Sequence, residues 1–223
     1  METRVITISR QVGTLAEEVA RIVAGELKFH LLDYRLVQAA AEEAGVSTET
    51  VADSEHKPSF FTRIIEALAK NPATPATGAW MEPINMSATP LLTSSDYREL
   101  VGQVIDDYAQ RGDVLLLGHG AQFTLAHRTD TLRVFVTGSA EVRKRRVMAG
   151  MVCSEEQAAE VVSRTDQERS KYFREYFHAD WLSACRYDLC VNTDRLNPSQ
   201  AADIILGAVA VRAGRSPLAA ATA

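Results

Sequence analysis

Short apolar runs and helical stripes alternate along this chain, and their spacing predicts most of its elements. Val5, Ile6, Thr7 and Ile8 form a β-branched run stopped by polar residues, which predicts a buried parallel strand over Arg4 to Ser9. Leu15, Val19, Ile22, Val23 and Leu27 then recur at helical spacing and predict a helix from Leu15 to Leu27, with Arg10 to Thr14 turning between. Phe29 to Leu32 is a second apolar run, ending at Asp33, and Arg35 to Ala44 reads as a helix stopped by Gly45.

Phe60, Phe61, Ile64, Ile65 and Leu68 repeat at helical spacing as a core or subunit-contact stripe. Asn71 to Ser94 loses that periodicity and holds Pro72, Pro75, Pro83 and Pro90, the composition of a lid, binding loop or disordered stretch. A helix capped near Asp96 should run to Arg111 and stop at Gly112, followed by a strand over Asp113 to Leu117. Leu132 to Val136 predicts another strand. Ser139 then caps a helix carrying Arg143, Lys144, Arg145 and Arg146, and Ser154 with Gln157 forms a capping box for a long helix reaching Phe177. Tyr187 to Val191 is a fifth strand, Pro198 to Val211 a last helix, and Ser216 to Ala223 a tail. Five strands alternating with helices predict an α/β fold with a parallel sheet covered on both faces.

The chain has 223 residues, enough for one α/β domain, 1–223. A formal charge of −5 leaves no broad basic face for nucleic acid or an anionic membrane, so any basic site must be local. No apolar run approaches the ~20 residues that span a bilayer. Cys153, Cys185 and Cys190 lack paired spacing and a partnering histidine cluster, which predicts reduced thiols and no metal site. The expectation is a soluble, cytoplasmic protein.

The first strand–turn–helix aims free amides and the positive end of a helix dipole into one cleft, a ready site for an anion. Its turn, however, reads SRQVGTLAEEVA, with Gly13 as the one glycine. A phosphate-cradling loop uses several glycines for close approach, then a Lys and a hydroxyl for magnesium. Asp33 stands at the carboxyl end of the second strand, where open α/β sheets meet ligands or the next helix is capped. Gly118, His119 and Gly120 follow the third strand, and the flanking glycines let His119 project into the same cleft. On the long helix Arg164, Asp166, Arg169, Lys171 and Arg174 interleave with apolar positions, as a solvated face would or as arginines that fork onto phosphate oxygens.

Together, ITISRQVG at Ile6 to Gly13, LLDYRLV at Leu31 to Val37, LLLGHGA at Leu115 to Ala121 and LRVFVTGSAEVRKRR at Leu132 to Arg146 resemble one family. RTDQERSKYFREYFHADW at Arg164 to Trp181 and YDLCVNT at Tyr187 to Thr193 continue the likeness. The chain resembles the cytidylate kinase-like branch of the P-loop nucleoside monophosphate kinases. The resemblance implies a P-loop nucleoside-kinase fold with a five-stranded parallel sheet, a monophosphate-binding helical insertion over 46–112 and a lid-like region over 147–181. It also implies ATP and Mg2+ as cofactors of active members. By position, Arg143, Arg146, Arg164 and Arg169 would face the transferred phosphates. Arg10, Gly13, Thr14, Leu15, Ala16, Glu17 and Glu18 would form the donor loop, and Asp33, Arg35, Gly118, His119 and Asp166 would lie on the acceptor side.

Three departures fall on phosphate contacts. Leu15 and Ala16 replace family glycines, Glu17 replaces a Lys or Arg, and His119 replaces the arginine of a GR pair. Thr14 still matches the hydroxyl position. The resulting expectation is a family scaffold that binds a nucleotide or other small phosphorylated ligand with weak or lost phosphotransfer. Two alternatives stand beside it: an active CMP-type kinase using ATP, and a structural or oligomeric protein without nucleotide. The stripe around Phe60 and Ile64 is compatible with a homodimer.

Overall fold

The computed structural model describes residues 2–33 and 95–215, with side chains from residue 101 onward in the second of these stretches. The expected helix at Arg35 to Ala44, the Phe60 stripe, the proline-rich segment, the cap at Asp96, Arg35 and the tail lie outside the described residues or side chains.

Five strands form one all-parallel sheet: β1 (Val5–Arg10), β2 (His30–Leu32), β3 (Val114–Leu117), β4 (Thr131–Thr137) and β5 (Leu189–Asn192), in the order β2-β3-β1-β4-β5. The helices are α1 (Ala16–Leu27), α2 (Ser95–Arg111), α3 (Ala121–Thr124), α4 (Ala140–Met151), α5 (Glu155–Phe177) and α6 (Pro198–Arg212). The α/β class, the five parallel strands and the helices on both faces agree with the pattern of the sequence. α3 was not anticipated, because four residues are too few to display a helical period.

Side-chain alternation along the strands builds a separate apolar layer on each face. Ile6, Ile8, Leu115, Leu117, Val134 and Val136 point toward Val19 and Val23 of α1 and Ile205 and Val209 of α6. Val5, Val114 and Leu116 point the other way, against Val101, Ile105 and Ala109 of α2 and Leu125. A third, aromatic layer joins Phe135 of β4 to Phe173 of α5, Trp181 and Tyr187. α4 and α5 form a hairpin sealed by Val147, Met151, Ala158, Val161 and Val162.

Boundaries shift where tertiary contacts decide them. Arg10, expected in the turn, is the last residue of β1 because the seven-residue β4 carries the ladder as far as Arg10 beside Val136. Asp113, expected in β3, precedes it with a φ of 54°. Tyr187 precedes β5, and its ring stacks on Phe135 at 4.9 Å. Ser139 and the Ser154–Gln157 capping box hold the ends of α4 and α5 as expected. The three cysteines are unbridged. Among the described residues no helix is long and apolar enough to cross a membrane, and no cluster of His, Cys, Asp and Glu is arranged for a metal.

Candidate functional site

The carboxyl ends of β1, β3 and β4 open onto one cleft, and most of the singled-out side chains converge there. Residues 11–15 lead from β1 into α1. Gly13 has a φ of 79°, and a Cβ built on it would lie 2.8 Å from the backbone oxygen of Arg143. Only glycine fits so close an approach of loop to helix. Thr14 is buried and donates its hydroxyl to the Gln11 carbonyl at 2.8 Å. Leu15 sits at φ 63° as the residue before α1, in the left-handed region where a family glycine would be at ease. Leu15 thus holds a backbone conformation that glycine adopts without steric cost.

α1 starts without a side-chain cap and carries Glu17 and Glu18 in its first turn, where acids complement the helix dipole. Glu17 closes on Arg10, whose Nε donates to Oε1 at 2.5 Å, with both side chains 22% exposed. The negative charge that a bound anion would bring to this helix end is thus already supplied by the chain. Burial raises the Glu18 carboxyl above its ordinary range, against the pull of Arg21.

Arg143 and Arg146 of α4 turn inward, while Arg145 is exposed. Arg143, 3% exposed, donates through Nη1 and Nη2 to the two oxygens of Asp166 at 3.2 and 2.7 Å, through Nε to Gly138 O, and through Nη1 to Val12 O. Gln11 completes this network, donating to Asp166 Oδ2 at 2.9 Å and accepting from the Thr137 hydroxyl at 2.5 Å. Arg146 donates to the backbone oxygen of Gly13 and to both the hydroxyl and the carbonyl of Thr193, while Thr193 donates to Thr14 O. It therefore ties the loop to the end of β5. Gln11, Thr137 and Thr193 were missed from sequence; each is an ordinary polar residue at a strand end, and no spacing distinguishes it.

On α5 the two expected cations divide. Arg169 reaches the cleft, donating Nη1 to the backbone oxygen of Arg10, with its guanidinium 5.8 Å from the Trp181 ring. Burial and then the Arg10 charge lower its pKa to about 10. Arg164 instead pairs with Glu160 on its own helix at 3.2 Å and is 43% exposed. Across the cleft, Gly118, His119 and Gly120 all have positive φ, a left-handed turn after β3. A Cβ on Gly118 would meet Arg10 Nη1 at 2.8 Å, and one on Gly120 would meet the Phe177 ring at 2.8 Å. The two glycines admit a guanidinium on one side and an α5 ring on the other.

His119 between them is half-buried. Burial, then the Arg10 charge, push its pKa down to about 4, against the opposing pull of Asp33. It is neutral at pH 7. In the unfolded chain it takes a proton near pH 6.5, so between about pH 6.5 and 4 the unfolded state binds more protons and stability falls as pH drops. His119→Asn, which tolerates the same backbone, should remove this slope relative to the parent chain. Urea melts at pH 7 and 4.5 read the difference, and equal slopes for both chains would count against it.

An open parallel sheet whose strand–loop–helix unit and converging arginines meet at one carboxyl edge defines a protein of the P-loop kinase fold. The model of the cytidylate kinase-like family matches residues 5–195, and the chain belongs to that family. It is 31% identical over 86 residues to a cytidylate kinase of Sulfolobus acidocaldarius; the alignment covers 38% of this chain and 47% of that protein, so the chain spans about half the length of that curated relative. Among solved structures it is similar to an uncharacterized protein from Eubacterium ventriosum, with a TM-score of 0.65 at 18% identity over 93% of this chain and 98% of the other. It is also similar to shikimate kinase from Bacteroides thetaiotaomicron, with a TM-score of 0.51 at 12% identity over 92% and 98% of the two chains. These structural likenesses speak for the fold alone.

Proposed function

We propose that this protein is a cytidylate kinase-like scaffold that binds a nucleotide or another small phosphorylated ligand while its phosphotransfer is weak or lost. The observation that carries the reading is Glu17, a carboxylate at the head of α1 closed onto Arg10 at 2.5 Å. A triphosphate brought against residues 13–18 would meet a negative group where charge neutralisation supplies most of the catalysis in kinases. The Thr14 hydroxyl donates its hydrogen to Gln11 O, which leaves its oxygen lone pairs for another partner. With Leu15 and Ala16 narrowing the loop and Glu17 adding negative charge, its residues do not fit magnesium triphosphate.

The second reading, an active nucleoside monophosphate kinase of CMP type using ATP and Mg2+, is favoured by the family match and by Arg143 and Arg169 lying together beside the loop. A coupled assay with ATP, magnesium and CMP separates the two. The scaffold reading expects turnover far below the ~1 to 100 per second of ordinary kinases, and a rate near 1 per second would overturn it. Thermal melting with a panel of nucleotides and phosphorylated small molecules should raise the midpoint for at least one compound. A flat panel would leave a structural role as the better account.

A further inference from the structure

We infer that α6 carries a self-complementary face through which two copies of this chain pair antiparallel, about a two-fold axis level with residue 209. The face lies outside the cleft, and the inference does not depend on the proposed function.

α6 is apolar nearly all round. Its 15 residues hold two charged side chains, Asp203 and Arg212. A helix of that composition is normally covered on every side, yet this one is covered on one. Ala201, Ala202, Ile205 and Val209 are buried in the apolar layer against the sheet. Ile204 and Val211 lie away from that layer and are 43% and 57% exposed, two of the four large apolar side chains left in water among the described residues. Arg212 does not interrupt the outer face, because its guanidinium is turned to Thr129 O, Thr131 O and Asp188.

The outer face has both knobs and hollows. Ile204 and Val211 are seven residues apart, two helical turns, and so are Gly207 and Gly214. A Cβ built on either glycine would meet nothing within 4 Å, so the space above each is open. Asp203 and Arg215, both exposed, close the two ends with opposite charge. A two-fold axis makes residue i of one copy face residue j of the other, and the reverse. Set level with residue 209, it brings Val211 onto Gly207, Ile204 onto Gly214 and Arg215 to Asp203, each pair being evenly placed about that residue. One placement of the axis thus satisfies two apolar contacts and one ion pair, and symmetry doubles all three. Glycine beneath each knob lets the helices approach to the close end of the usual spacing of about 8 to 10 Å. A parallel pair would set like on like, Asp203 against Asp203 and Gly207 against Gly207.

α6 runs from the carboxyl edge of the sheet, where it follows β5, to the amino edge, where Arg212 meets the start of β4. Antiparallel pairing therefore sends the carboxyl edges of the two copies to opposite ends of the dimer and keeps both clefts open. A single helix pair is a small interface, under the roughly 1,200 Å² of most specific complexes, so the dissociation constant should fall at about 10 μM to 1 mM.

Sedimentation velocity of the full chain across that range is the test, and the parent should pass from monomer to dimer. Asp203→Arg and Arg215→Asp should each weaken the dimer about tenfold, because each sets like charges opposite one another twice. The double variant Asp203→Arg with Arg215→Asp should return to near the parent affinity, since the swap preserves both pairs. Gly207→Glu puts a carboxylate beneath Val211 of the second copy and should leave monomer alone. None of the three positions is buried in the single chain, so melting midpoints at low concentration should not fall, and Gly207→Glu should raise its own because glutamate favours a helix over glycine. A parent that stays monomeric throughout, a dimer that survives Gly207→Glu, or a double swap that fails to recover association would each overturn the inference.

Discussion

Leu15→Gly, Ala16→Gly and Glu17→Lys, made together, should tighten ATP binding by at least about 100-fold, or roughly 2.7 kcal/mol. The lysine adds a charge-assisted hydrogen bond worth about 1.5 to 3 kcal/mol. Removing the carboxylate also lifts a repulsion of about 4 kcal/mol at 4 Å and an effective dielectric of 20, reduced by salt. Leu15 already has the backbone of a glycine, at φ 63°, so its replacement relaxes the turn without reshaping it. Arg10, released from Glu17, becomes a further donor. Titration of ATP with magnesium reads the affinity, and the coupled assay with CMP reads any restored transfer. If ATP affinity stays flat, the head of α1 is not a vestigial donor site.

Trp181→Ala should destabilise the fold by about 3 to 5 kcal/mol, lowering the melting midpoint by roughly 10 °C. The ring is the largest fully buried side chain among the described residues. It meets Phe135 edge-on at 5.5 Å and stacks on Phe173 at 5.8 Å, joining β4 to α5. Its backbone oxygen accepts the Tyr187 hydroxyl at 2.7 Å, so the cavity would loosen the segment leading to β5 as well. The same ring supports Arg169, whose guanidinium lies 5.8 Å from its centroid. Trp181→Phe keeps most of the packing and loses the bond to Ser170, so its cost should be about 1 to 3 kcal/mol. Denaturant melts of the three chains make the comparison; a loss under 1 kcal/mol in the alanine variant would show that α5 is held by other contacts.

The strands, the helices and their buried faces were legible because burial leaves a period in the chain. The alternation of β1 and the stripe Val19, Val23 on α1 match the two apolar layers residue for residue. The acidic character of the first turn was equally plain, since Glu17 and Glu18 at the head of a helix can be read without knowing their partners. Arg10, Glu17, His119, Arg143, Arg146, Asp166 and Arg169 were all named from sequence and do meet at one edge of the sheet. What the pattern could not assign was their pairing. Arg143 finds Asp166, Arg146 finds Thr193, and Arg164 turns to Glu160 on its own helix although the motif places it beside Arg169.

From the chain's order of residues alone follow the parallel α/β class, the family resemblance and a first turn with Gly13 as its one glycine and Glu17 just inside the helix that follows. These are local properties, written in side-chain period and in the charge of single positions. Which cation meets which carboxylate came only with the folded molecule. Long arginine side chains choose among whatever the strand order β2-β3-β1-β4-β5 and the α4–α5 hairpin bring within a few ångströms. Arg143 and Asp166 lie 23 positions apart, and Arg146 and Thr193 lie 47 apart. No periodicity spans such distances, so these pairings are a property of the fold.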